Sequence, residues 1–132
     1  MRNKFRAIKT TVDGIVFASK SEAARYCELM QMQDEDKIYM LRCQVSYQLF
    51  GEGRKGSKYI ADFSYWQNAP AIQQLMGVKD EFVVEDVKGF VNQTARLKLK
   101  MMKAVHNIDV QIIKMNPRTV DALIKGYLGA RK

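Results

Sequence analysis

Two periods divide this chain. Residues 8–17 alternate between apolar and polar positions around Asp13-Gly14, a dipeptide that readily takes the positive φ values of a tight turn, so a small hairpin is expected first. Ala23, Tyr26, Cys27 and Met30 then recur at helical spacing and predict a helix over residues 19–33, opened by Ser19 and Glu22 as an S-x-x-E capping box. The polar run Asp34-Glu35-Asp36-Lys37 ends it.

Alternation returns over residues 41–50, which read as a strand with Cys43, Val45, Tyr47 and Leu49 on one face. A basic turn over residues 51–57 leads into a second strand around Tyr59-Ile60-Ala61-Asp62-Phe63, antiparallel to the first. Parity puts Asp62 with Ile60 and Ser64, and turns Tyr59, Ala61, Phe63 and Tyr65 the other way. Residues 67–79 are irregular, with Asn68, Pro70 and Gly77 as breakers around the apolar piece Ala71-Ile72-Leu75-Met76, and are longer than most hairpin connections. In the third strand, within residues 80–89, Phe82, Val84, Asp86 and Lys88 share one face, and Val83, Glu85 and Val87 the other.

Thr94 is the expected cap of a helix reaching about Asn107, with Leu97, Met101, Ala104 and Val105 inward and Arg96, Lys100 and Lys103 as a basic ridge. Residues 109–114 read as a short strand. Asn116-Pro117 would cap and start a last helix over residues 117–128. The order is hairpin, helix, three strands, helix, strand, helix, an α/β arrangement in a chain of one-domain length, 1–132.

Charge adds a partner class. With 22 Lys and Arg against 14 Asp and Glu, a formal charge of +8 and 47% hydrophobic residues, this is a folded basic protein, and nucleic acid leads the candidate partners. Cys27 and Cys43 have neither CxxC spacing nor a second pair for zinc, which suits free thiols in a reducing cytoplasm. The start of the chain lacks the apolar run of a secretion signal, and no apolar segment is long enough for a bilayer, so a cytoplasmic protein without a membrane partner is expected.

The candidate chemistry lies on the second and third strands. If their polar faces meet, Asp62, Asp86 and the Lys88 ammonium converge on an otherwise apolar sheet, a costly cluster that a hard divalent cation such as magnesium would relieve. Glu22 is explained by its capping box, yet sits where a first-turn carboxylate can face the sheet. Glu85 turns away by parity and is the weaker ligand candidate. Gln44 reads as a hydrogen-bonding residue near Asp62. His106 and the tyrosines Tyr39, Tyr47 and Tyr59 are set aside as nucleophiles, because strand tyrosines usually serve the core. The competing structural reading makes Asp86 and Lys88 a surface ion pair and Asp62 a strand end.

Ala61-Asp62-Phe63 and Asp86-Val87-Lys88 resemble the two halves of the motif of the PD-(D/E)xK nuclease superfamily, with Ala in place of Pro. The chain is similar, more closely, to a group of short phage proteins of unknown function with the pattern D-G-I-x-F-x-S-K-x-E-A-x-R-Y, Y-x-A-D-F and V-V-E-D-V-K-G, here starting at Asp13, Tyr59 and Val83. That group is similar to phage Holliday-junction resolvases. The resemblance implies a restriction-endonuclease-like core with a central mixed β-sheet flanked by helices, and a metal-dependent DNA endonuclease acting on branched DNA. It also implies Glu22 joining Asp62 and Asp86 at magnesium, or manganese as a substitute, with Lys88 catalytic. Lys20, Arg54, Lys55, Lys58, Arg96, Lys100 and Lys103 are then the expected phosphate contacts. A homodimer is expected because two nicks across a branch need two sites. The alternatives are a non-catalytic DNA-binding module and a restriction-type or end-processing nuclease.

Overall fold

The computed structural model describes residues 7–50 and 57–131. The sequence of residues 1–7, with Arg2, Lys4 and Arg6 and little apolar periodicity, reads as a mobile basic arm; those three residues, and Arg54 and Lys55 of the basic turn, lie outside the described residues. Strands β1 (Thr10–Val12) and β2 (Ile15–Phe17) pair antiparallel across Asp13 and Gly14. Both turn residues have positive φ, 53° and 78°, the geometry that makes Asp-Gly suit a two-residue hairpin.

Helix α1 (Lys20–Asp34) follows, with Ser19 Oγ accepting the Glu22 N–H at 3.1 Å and the Glu22 carboxylate accepting the Ala18 N–H at 3.1 Å. The capping box is real, with its return bond reaching one residue before the cap. The main sheet then runs in the order β3 (Ile38–Phe50), β4 (Ser57–Gln67), β5 (Glu81–Val87), β6 (Gln111–Ile113), the first two junctions antiparallel and the last parallel. A short helix α2 (Ala71–Leu75) interrupts the β4–β5 connection, α3 (Gln93–His106) crosses from β5 to β6, and α4 (Val120–Ala130) packs on α1. The molecule is therefore a four-strand mixed sheet flanked by helices and preceded by an antiparallel hairpin.

Two cores hold it. One joins the hairpin, α1 and α4 to the sheet through Val12, Phe17, Tyr26, Cys27, Leu29, Phe63, Tyr65, Val83 and Tyr127. The second lies under α3 and joins Met102 to Leu49, Tyr59, Ala61 and Val84. The expected single face of Tyr59, Ala61, Phe63 and Tyr65 is thereby corrected: Tyr59 and Ala61 enter one core, Phe63 and Tyr65 the other. The same split separates Cys43 from Tyr47 and Leu49 on β3. Alternation fails because the β3–β4 ladder skips Gln44 and Asp62, and Gln44 adopts φ 55°, so the ribbon rolls over at that point.

Two boundaries also move, and one helix face turns. Asn92, not Thr94, caps α3, accepting the Ala95 N–H at 2.8 Å. Its buried residue is Met102, with Leu99 and Met101 partly covered, whereas Leu97 and Val105 are more than half exposed, so the expected inner face is rotated. Asn116-Pro117 forms a turn, held by Arg118 N–H on Asn116 Oδ1 at 2.9 Å, and α4 begins later, at Val120.

Candidate functional site

The β4–β5 ladder ends at the pair Phe63 and Glu85, and the next pair in that register would be Asp62 opposite Asp86. At that point side chains replace the ladder. Asp62 Oδ2 accepts the Val87 N–H at 2.7 Å, and Asp86 Oδ1 accepts the Asp62 N–H at 3.1 Å. Two carboxylates are thus fixed by each other's strand. Asp86 is 2% exposed, while Asp62 is half-buried.

The Tyr59 hydroxyl donates to Asp86 Oδ2, and the Lys88 ammonium stands 3.6 Å from the same oxygen. Lys88 follows the end of β5 and is anchored by its own N–H on the Ile113 carbonyl at 3.0 Å. The strand period does put Asp86 and Lys88 side by side, and the pair is not a surface ion pair, because Asp86 is buried. Glu22 approaches from the first turn of α1, half-buried and within electrostatic reach of Asp62, Asp86 and Lys88. Asp62, Asp86 and Lys88 are thus joined by direct contacts, with Glu22 in electrostatic reach of all three.

Electrostatics there are unrelieved. Burial first, then the neighbouring Asp86 carboxylate, hold the Asp62 carboxyl well above the ordinary carboxylate range; the Val87 N–H pulls it down and Glu22 pushes it further up. Glu22 is raised too, by burial and then by Asp86, against the Ala18 N–H and the Lys88 charge. Burial and the bond to Asp86 raise the Tyr59 phenol, so it stays a hydrogen donor. Among the described residues no three His, Cys, Asp or Glu side chains form a ready-made metal cage. The donor chemistry nonetheless suits a hard divalent cation, since crowded half-buried carboxylates are the oxygen ligands such ions take, and a cation would reverse both upward shifts.

Glu85, one residue from Asp86, faces the other core. Arg25 Nε and Nη2 donate to its two oxygens at 2.9 and 2.6 Å, and Tyr65 donates to the second. It is a structural anchor between α1 and β5. Burial works against the Arg25 guanidinium, but the hydrogen bonds and charge of Glu85 more than offset it and raise the group. Gln44 donates to the Val16 carbonyl at 2.9 Å, tying the rolled-over point of β3 to the hairpin. The tyrosine pair Tyr26 and Tyr127 both donate to Asp13 Oδ2.

The basic candidates are spread. Lys20 pairs with Asp121 at 3.1 Å and Lys103 with Asp109 at 2.9 Å. Lys58 is exposed, and Arg96 and Lys100 are exposed along a shallow groove on α3. Since α3 covers the sheet face toward which Asp86 turns, this ridge shares that side of the molecule.

Sequence reasoning missed Tyr59. Parity assigned it to the face opposite Asp62, and only the roll at Asp62 brings its hydroxyl to Asp86.

A family model described as "Protein of unknown function (DUF1064)" matches residues 2–118. The chain belongs to this family. For DUF1064, the matched span takes in the hairpin, α1, the whole main sheet and α3, and thus every residue of the site; it stops short of α4. No curated protein and no solved structure matches the chain.

Proposed function

We propose that this protein is a metal-dependent endonuclease that hydrolyses phosphodiester bonds in DNA, with branched DNA as its substrate. The observation that carries the reading is the meeting of Asp62 and Asp86 across the opened end of β4 and β5, with Glu22 and Lys88 at the same point. A fold needs no such cluster for stability, and phosphate binding alone is hindered by buried carboxylates. The resemblance of Ala61-Asp62-Phe63 and Asp86-Val87-Lys88 to the PD-(D/E)xK motif supports the same assignment.

Asp62, Asp86 and Glu22 would hold magnesium, which supplies a polarised phosphate and an acidified water when bound. Asp86 orients the Lys88 ammonium toward the site, where it stabilises negative charge developing on the phosphate oxygens. Tyr59 fixes the Asp86 carboxylate, and the Asp62 N–H fixes its other oxygen, so the group is preorganised on both sides. Arg96 and Lys100 attract the backbone without reading bases. Two nicks across a branch require two such sites, so the acting species is a homodimer. The described residues include no helix long and apolar enough to cross a membrane.

The test is incubation of the purified protein with magnesium on linear duplex, single-stranded, forked and four-way DNA, together with sedimentation. Metal-dependent cutting that favours forked and four-way DNA is expected, and Asp62→Asn, Asp86→Asn or Lys88→Ala should each abolish it. Cutting that survives all three changes would place the chemistry elsewhere. DNA binding without cutting under any metal would favour the binding-module reading.

A further inference from the structure

A cleft of about 610 Å³ adjoins the site at Lys88, lined by Ser21 of α1, Val87 at the end of β5, Lys88 and Phe90 after it, and Lys114 and Pro117 after β6. Its size is that of a small-molecule site. Phe90 is 70% exposed on the rim, and Lys114 is exposed and makes no ion pair among the described residues. Val87, which donates to Asp62, and Lys88, which faces Asp86, form the wall between this cleft and the carboxylates.

Phe90 belongs to neither core, and the basic ridge on α3 lies along a different groove. An exposed ring beside two ammonium groups and a serine hydroxyl offers a nucleotide two complementary surfaces: a π face for the base and cations for the phosphate. Within a duplex, however, the faces of each base are covered by its neighbours, so a ring on a cleft rim can be met only by a base that has left the stack.

We infer that this cleft binds one unstacked nucleotide adjoining the phosphate to be cut, its base against Phe90 and its flanking phosphate on Lys114. The inference rests on the nuclease reading and deepens it: the feature recognised at a branch is a nucleotide without a stacking partner, not the crossing of two duplexes as such. A fork or junction supplies such a nucleotide, and a regular duplex does not.

The experiment pairs Phe90 with the base it would contact. Forked DNA is compared with forks carrying a single abasic position, moved in turn through the nucleotides that flank the cut, for the native protein, Phe90→Ala, Phe90→Trp and Lys114→Ala. Phe90→Ala should lower kcat/KM on the intact fork roughly 10- to 100-fold, the range of one lost base–aromatic stack. One abasic position should impose a similar loss on the native protein and none on Phe90→Ala, so the two losses do not multiply. Phe90→Trp should restore cutting. Lys114→Ala should raise KM on all forks alike and reduce the salt slope of binding by about one.

Independent, multiplying losses, or a Phe90→Ala protein equal to the native one, would overturn the cleft assignment while leaving the nuclease site standing. If the native protein cuts no DNA under magnesium or manganese, the nuclease reading fails instead. The same forks in a binding titration then still decide the cleft: an affinity loss from Phe90→Ala that vanishes on one abasic fork supports it, and unchanged affinity overturns it.

Discussion

Glu85 and Asp86 are neighbours in one strand, 1% and 2% exposed, each with a tyrosine hydroxyl on one oxygen and a cation beside it, and they differ in how tightly that cation is held and in which other charges are near. Glu85 meets a bidentate guanidinium and a tyrosine, so its charge is cancelled and both oxygens are satisfied. Asp86 accepts from the Asp62 N–H and the Tyr59 hydroxyl, has its ammonium at a looser 3.6 Å, and lies within electrostatic reach of the Asp62 and Glu22 carboxylates. A buried carboxylate with its counter-charge locked in is part of the frame. One set near like charges, with its counter-charge held loosely, is where an added cation would have the most to offset.

Exchanging the roles breaks the comparison most sharply. Asp86→Asn should cut nuclease activity on the order of 100-fold or more, with little change in thermal stability, because it removes charge but little volume. Glu85→Ala should do the reverse. It strands the buried Arg25 guanidinium, and since Glu28 remains 3.3 Å from Arg25, the loss should lie at the low end of the range for a broken buried pair, about 3 kcal/mol. Calorimetry and a cleavage assay on the two proteins check both; equal losses in both measurements would dissolve the distinction.

Glu22 lies between the two cases, being both a cap and a site carboxylate. Glu22→Gln should lower activity far more than melting temperature, since Gln can still accept from Ala18 but is a poor cation ligand. A proportionate loss of both would return Glu22 to its capping role alone.

Tyr59→Phe sharpens the comparison at single-atom scale. It leaves the ring in the core under α3 and removes only the donor to Asp86, so kcat should fall roughly 10-fold with KM unchanged. The parallel change Tyr65→Phe, on the Glu85 side, should leave kcat unaltered.

The smallest effect concerns pH. The Asp13 carboxyl is lowered by the Tyr127 and Tyr26 hydroxyls, with Arg131 assisting against a little burial. A carboxylate lowered on folding adds stability that is complete above its unfolded value and is lost as pH falls through the folded one. Acid should therefore loosen the junction of hairpin, α1 and α4 below about pH 4, a window set by the ordinary carboxylate value. Asp13→Asn should flatten the acid limb of a stability–pH curve; an unchanged limb would remove Asp13 as its source.

Much of this was legible in the residues. The Asp-Gly turn, the S-x-x-E cap and the three-strand order are local signals, and short-range chemistry decides them. The meeting of Asp62, Asp86 and Lys88 was also readable, because strand period and an antiparallel hairpin leave few registers. Face assignments were less secure. Strict parity sorts a strand only while the ladder is regular, and the positive φ at Gln44 has no glycine to announce it. The rotation of α3 had a different cause: Leu97, Met101, Ala104 and Val105 make a credible apolar stripe, but Leu99 and Met102 are what the core admits. Arg25 stood in the E-A-x-R-Y pattern with no stated role, and Tyr26 only as part of the apolar stripe, until their partners, Glu85 and Asp13, were brought near by the fold.

The replacement of ladder bonds by carboxylates has one more consequence. The Val87 and Asp62 amide hydrogens are each sheltered by a site oxygen, so their exchange with deuterated water depends on the position of those side chains as much as on the sheet. A cation that drew Asp62 or Asp86 toward itself would also loosen or tighten a closure of the backbone, and these two amides would then record its arrival.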